Sequence, residues 1–232
     1  MAHPKQILFL QSVLNRFPQF RKPRTCVEIG SQDVNGSIRE IVNASESYVG
    51  VDIELGKGVD FICPGELLEL PDSWSEITIS TECFEHAEAW QEILKNAIRM
   101  TKTDGMILIT CAGIGREAHG TIDSTPHNSP LTNAYYKNVS KDDITSAINL
   151  NAYFHSYSFE VNSWPGDTYF WGIRSDFPFK FEEGGISLLE HRLSRAQGQS
   201  VQLFSELSSA REEIQKLNAK IKDLEDKNLL NL

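Results

Sequence analysis

The stretch from Cys26 to Ser37 constrains the fold more than any other. Cys26, Val27, Glu28 and Ile29 read as a short buried strand. Gly30, Ser31, Gln32, Asp33, Val34 and Asn35 form a turn of small and polar residues, and Gly36 and Ser37 lead into a helix start. About twenty residues later, Tyr48, Val49, Gly50 and Val51 make a second strand that ends in Asp52. Strand, Gly-bearing turn, helix and a second strand ending in a carboxylate make half of a nucleotide-binding sheet. Glycine lets backbone approach a ligand, and a helix N-terminus offers unpaired N–H groups.

The residues of the turn narrow the kind of nucleotide. A dinucleotide fingerprint needs G-x-G-x-x-G, and here Gly30 is followed by Ser31, Gln32 and Asp33. Glu28 at the strand end would repel a pyrophosphate but suits a cation. Asp52 is placed to accept from a ribose diol. S-adenosylmethionine, with its sulfonium, ammonium and ribose, fits these acids better than NAD does. The bland reading has Glu28 as a local cap and Asp52 as a strand terminator.

The runs Val27 to Ser31, Asp33 to Ser37 and Tyr48 to Glu54 resemble a class I S-adenosylmethionine-dependent methyltransferase, within the broad family of bacterial small-molecule methyltransferase domains. Ser80 to His86 and Thr103 to Ile109 are similar to later motifs of that family. The likeness covers roughly residues 25–175. It departs in the first loop, where Gln32 and Val34 replace later glycines and Gly36 comes two residues late. The resemblance implies an α/β, Rossmann-like methyltransferase sheet, mostly parallel with the last strand antiparallel. It also implies that Glu28 faces the methionine end, that Gly30, Ser31, Asp33 and Gly36 supply loop contacts, that Asp52 holds the ribose, and that Ile53 and Ile62 flank the adenine. Asp60 is a weaker candidate for a direct contact. Thr81 and Glu82 fall at the carboxyl edge of the sheet, where ligands of such sheets bind.

Other segments follow from pattern. Ile7, Leu8, Leu10, Val13, Leu14 and Phe17 predict an amphipathic helix over 5–17, stopped by Pro18 and packed over the sheet edge near the cofactor entrance. A first sheet helix is expected over 37–43, strands over 59–62, 76–80 and 106–110, and a helix over 88–100. A capped helix is expected over 140–150, with Ser140 as N-cap and Asp143 at N3. Residues 157–162 and 168–173 predict a closing hairpin, which fits a methyltransferase sheet better than an NAD-binding one.

Between 111 and 138 lies a long polar segment, expected to cover the substrate side of the pocket. Its His119 and His127, together with His86 after the fourth strand, are the candidate catalytic bases. Each has a structural alternative: His86 bracing its loop, the others facing water on a lid. Arg116 is suited to an acidic substrate. His119 and His127 fall near Glu117 and Asp123, but the spacing matches no strong ligand pattern, so no metal is predicted.

Beyond Gly185 the sequence changes character. Apolar residues recur in sevens, with Ile214 and Ile221 at a and Leu217 and Leu224 at d. This predicts a coiled-coil helix over 186–232 that makes a homodimer or larger assembly through residues 186–231. The expected division is an N-terminal helical segment (1–24), the S-adenosylmethionine-binding domain (25–175), a connector (176–185) and the coil (186–232). A net charge of −10 argues against a general nucleic-acid binder. No apolar run reaches membrane-spanning length. The scattered Cys26, Cys63, Cys83 and Cys111 read as reduced thiols of a cytoplasmic protein.

The expected function is methyl transfer from S-adenosylmethionine to an oxygen or nitrogen of a small molecule. By analogy that acceptor is a sugar of a surface polysaccharide. One alternative is a non-catalytic scaffold working through its coil, and a weaker one is an NAD-dependent enzyme.

Overall fold

The computed structural model describes residues 4–175, apart from 35 and 130. The coiled-coil expectation for 186–232 lies outside the described residues. Strand β1 (Thr25–Ile29) is buried throughout. That is the burial expected of a central parallel strand with both faces covered. Parallel neighbours flank it: β2 (Ser47–Asp52) on one side and β4 (Ser75–Thr81) on the other. The two-residue β3 (Phe61–Ile62) forms the edge beyond β2. Past β4 come β5 (Thr101–Ala112), β7 (Asp167–Arg174) and β6 (Phe154–Val161).

The sheet order is β3-β2-β1-β4-β5-β7-β6, and β7 alone runs antiparallel to its neighbours. The closing hairpin and the antiparallel last strand are thus where the pattern placed them. The order reverses between β1 and β4. Ligands of open α/β sheets bind beside such a reversal, outside the carboxyl ends of the strands.

Two apolar layers sandwich the sheet. On one face α2 (Trp90–Met100) lays Ile93, Leu94, Ala97 and Ile98 against Val27, Ile29, Ile107 and Ile109. On the other, α1 (Pro4–Arg16) buries Phe9, Leu10, Val13 and Leu14. Phe9 stacks on Tyr169 with ring centroids 4.8 Å apart, so α1 lies across β7 on the face of the sheet. Buried Gln6 then reaches the side chain of Glu82. The sequence placed this helix at the sheet edge; its apolar stripe demands a broader apolar surface than an edge offers.

The first sheet helix expected over 37–43 is a single 3-10 turn, Ile38–Glu40, with the Ser37 hydroxyl accepting from Arg39 N at 3.1 Å. Four residues between capping serine and Val42 cannot propagate a helix, and β-branched Ile38 and Ile41 do not help. Ile38 and Val42 still enter the core on the α1 side.

The helix expected over 140–150 is α3 (Lys141–Ala147), followed by the short α4 (Leu150–Tyr153). The capping box is present as read: Ser140 Oγ accepts from Asp143 N at 3.0 Å, and Asp143 Oδ2 accepts from Ser140 N at 2.9 Å. Ser140→Ala is expected to cost about 1 kcal/mol, seen as a lower denaturant midpoint with unchanged slope.

Candidate active site

The cleft at the reversal point is built from five chain segments. β1 ends at Ile29, and Gly30 turns the backbone with φ +78°. A Cβ at Gly30 would stand 2.7 Å from the Cβ of Cys83, so both the angle and the space require glycine. β2 delivers Asp52 and Ile53. The turn after β3 adds Cys63, Pro64 and Gly65, and the segment after β4 adds Glu82, Cys83 and His86. The loop after β5 closes the mouth with His119, Asn128, Ser129, Leu131 and Thr132. The enclosed volume is about 390 Å³, within the range of small-molecule sites.

Asp52 stands in this cleft. Its Oδ2 accepts from Gln32 N at 3.1 Å and its Oδ1 from Glu54 N at 3.3 Å. Each oxygen keeps a lone pair for a further donor. Ile53, Cys63, Pro64 and Ile93 make an apolar slot beside it, suited to a flat ring. Gly30, Asp52, Ile53, Glu82, His86 and His119 all line this one cleft.

Other expected contacts do not line the cleft. Side chains alternate along β1, and Ile29 faces the cleft, so Glu28 lies on the opposite face. There it accepts from Tyr48 OH at 2.7 Å. Burial pushes its carboxyl up to about 7, with the Tyr48 bond and Arg39 pulling back. Ile62 is 57% exposed on the edge strand β3, and the apolar wall comes instead from the residues just after it. Thr81 is buried within the sheet. Asp60 accepts from Gly50 N at 2.7 Å and pairs with Arg39, which holds the β2–β3 connection.

The first loop uses its own amides internally. Gly30 N and Ser31 N donate to Val51 O at 2.9 and 3.0 Å, and Asp33 N donates to Lys57 O at 2.8 Å. The Asp33 carboxylate pairs with Lys57 at 2.5 Å and accepts from Gly36 N at 2.8 Å. With no helix behind it and these N–H groups taken, the loop is not a pyrophosphate cradle. Ser31, Asp33 and Gly36 shape the loop from behind, while Gln32 and Val34 reach the cleft.

At the far end of the cleft the acids and imidazoles gather. Glu82 follows β4 with φ +51°, a left-handed conformation uncommon for a residue with a side chain. Glu85 and His86 sit on the 3-10 turn Phe84–His86, and His119 comes down from the loop after β5. His119 Nε2 stands 3.5 Å from Glu82 Oε2 and 3.9 Å from Glu85 Oε1. Ligand atoms of Glu85, His86 and His119 all lie within 4.8 Å of one another. Burial drives the Glu85 carboxyl well above its ordinary value, and the Glu82 charge adds to this. Burial, then His119, brings His86 down to about 4 and keeps it neutral.

Arg116 is turned inward, 3.7 Å from Glu82 and 3.5 Å from Asp167, so its charge is balanced by the protein's own acids. His127 is exposed on the turn Pro126–Asn128 and does not line the cleft. Glu85 was missed by the sequence reading. The spacing Glu82, Glu85, His86 was its signal, since residues three and four apart on a turn share a side.

No protein-family model matches the chain, and no curated protein matches its sequence significantly. Solved structures do. The chain is similar to phosphoethanolamine N-methyltransferase 2 of Haemonchus contortus in complex with S-adenosyl-L-methionine. The TM-score is 0.53 at 13% identity, covering 75% of this chain and 53% of that one. It is also similar to 1,6-didemethyltoxoflavin-N1-methyltransferase of Burkholderia thailandensis, solved with 1,6-didemethyltoxoflavin and S-adenosylhomocysteine. There the TM-score is 0.50 at 10% identity, over 73% of this chain and 78% of that one. The chain thus spans about half the length of the Haemonchus enzyme. Its fold is that of class I S-adenosylmethionine-dependent methyltransferases.

Among the described residues, no helix is long and apolar enough to cross a membrane. Cys26, Cys63, Cys83 and Cys111 are all free.

Proposed function

We propose that the chain is an S-adenosylmethionine-dependent methyltransferase acting on an oxygen or nitrogen of a small molecule. The observation that carries this is the cleft itself. It lies at the reversal of the sheet, with Asp52 holding two spare lone pairs beside an apolar slot and acids at the opposite end. The donor set fits the cofactor. Asp52 would take the ribose hydroxyls, Ile53 and the Cys63–Pro64 segment the adenine, and Gly30 the close backbone approach. Glu82 provides the negative field that suits a sulfonium and an ammonium.

When bound, S-adenosylmethionine supplies an electrophilic methyl group that needs no further activation. The protein's share is then to align the acceptor, exclude competing water and manage one proton. His119 and His86 face the acceptor end of the cleft, and the loop after β5 covers it. A sugar hydroxyl is the acceptor that the sequence resemblance favours.

The internal pairing of the loop amides disfavours a dinucleotide. Calorimetric titration with S-adenosylmethionine, S-adenosylhomocysteine and NAD is expected to show binding of the first two, with Kd of about 1–100 μM, and none of NAD. Failure of both adenosyl ligands to bind would leave the scaffold reading in the lead.

A further inference from the structure

The acid–imidazole cluster is more than the cofactor needs. Glu85 Oε2, His86 Nδ1 and His119 Nε2 are each buried without a hydrogen-bond partner, and the three side chains bring ligand atoms within 4.8 Å of one another. Glu85 is fully buried, so an unpartnered oxygen there is costly. The surroundings hold Glu85 and His119 in place by their other atoms. Ala112 N donates to Glu85 Oε1 at 3.1 Å. The Glu117 carbonyl oxygen, 3.1 Å from His119 Nδ1, fixes the proton on that nitrogen and leaves Nε2 as a lone pair. Tyr136 OH, 3.2 Å away, braces the same edge. Buried Gln6 orients Glu82 from α1. Unpartnered buried atoms gathered in one cluster, with Glu85 and His119 held by partners on their other atoms, are the pattern of metal ligands.

We propose that Glu85, His86 and His119, with Glu82 as fourth ligand, hold one divalent transition-metal cation at the acceptor end of the cleft. Ligand atoms around a tetrahedral ion stand about 3.4 Å apart at bonds of about 2.1 Å, so small side-chain rotations close the present spacing. Two imidazoles and two carboxylates suit Mn2+, Fe2+, Co2+ or Zn2+ and do not suit Mg2+, which prefers oxygen and water. The left-handed backbone of Glu82 is strain of the kind that sites hold for a purpose.

His86, His119 and Glu82 line the cleft, so a fifth coordination position, reached when the four-ligand ion expands its shell, would face the acceptor. That position takes an oxygen donor. A hydroxyl bound there would lose its O–H proton to water as the metal–oxygen bond forms, since a cation lowers the pKa of bound oxygen. The ligand class is therefore a small molecule with a hydroxyl, favoured further by a second neighbouring oxygen. This role rests on the methyl-transfer reading above; the metal site does not.

The test uses the full chain, stripped with chelator. Titration with Mn2+, Co2+ and Zn2+ separately, and with Mg2+ as control, should show one equivalent of a transition metal bound with Kd of about 1 μM or tighter. Bound Co2+ should give a visible absorption band. Glu85→Gln, which keeps the size and the Ala112 contact, should weaken binding by about 100-fold or more, and so should His119→Ala on its separate loop. Circular dichroism of each variant shows that it has folded. Binding unaltered in both folded variants, or no stoichiometric binding of any of the three ions, overturns the proposal. S-adenosylmethionine affinity is measured in parallel on the parent chain. Metal without the cofactor would sink the methyltransferase reading alone, and cofactor without metal would sink this one alone.

Discussion

Asp52→Ala is expected to weaken S-adenosylmethionine binding by about 10- to 150-fold, the 1.5–3 kcal/mol of hydrogen bonding to a charged group. The reason is local. Asp52 ends β2 in the cleft wall, and Gln32 N and Glu54 N engage one lone pair on each oxygen. Those bonds aim the carboxylate, so a ribose diol meets acceptors already in position and little ordering cost remains. Asp52→Asn separates charge from shape. It keeps the volume and one acceptor, and its loss should fall between that of alanine and none. Calorimetry on both variants checks the series. Affinity unchanged in Asp52→Ala would remove the ribose assignment and with it the main support for an adenosyl ligand.

Glu28→Gln is expected to change the pH dependence of stability by about 3 kcal/mol. The Glu28 carboxyl titrates near 7 in the folded chain, against an ordinary value of 4.5, because burial disfavours its charge. The folded state therefore holds a proton that the unfolded chain has lost between those two values. Stability from this group is fully present below about 4.5 and is lost as pH rises through 7. Glutamine is neutral at every pH and can still accept from Tyr48. Its stability relative to the parent should thus rise by roughly 3 kcal/mol between pH 4.5 and pH 8 and level off beyond. Urea unfolding at several pH values measures it. Parallel curves for the two chains would mean that Glu28 is solvated and ionises as an ordinary carboxylate.

Glu28 also illustrates what a sequence leaves open. That β1 is a strand follows from its own residues. Which of its two faces meets a ligand follows from how the whole sheet is covered. Period two makes Ile29 and Glu28 face opposite ways, and a choice of one face reverses the role of the other. An acid that does line the cleft is Glu82, set there by a left-handed backbone that nothing in the local pattern announces.

The first helix is a second case. Its start near Ser37 was legible, but its length was not, because helix propagation depends on packing more than on propensity. Here α1 takes the covering position on that face.

The sequence by itself determined the strand–turn–strand core through β1 and β2, Gly30 at a turn that tolerates no side chain, Asp52 at a strand end, the capping box of α3 and the antiparallel close of the sheet. These are signals of neighbours in the chain: side-chain period, turn chemistry and hydrogen bonds spanning three or four residues. Tertiary structure alone decided which of the histidines share a site. His119 is 33 residues from His86, yet the loop after β5 returns over the sheet edge through Lys137 N to Glu85 O at 2.9 Å and Val139 N to Ala112 O at 2.7 Å. Those bonds bring His119 onto Glu85 and leave His127 exposed. Burial then does what no spacing can: it strips water from Glu85 Oε2, His86 Nδ1 and His119 Nε2 and leaves each without a hydrogen-bond partner.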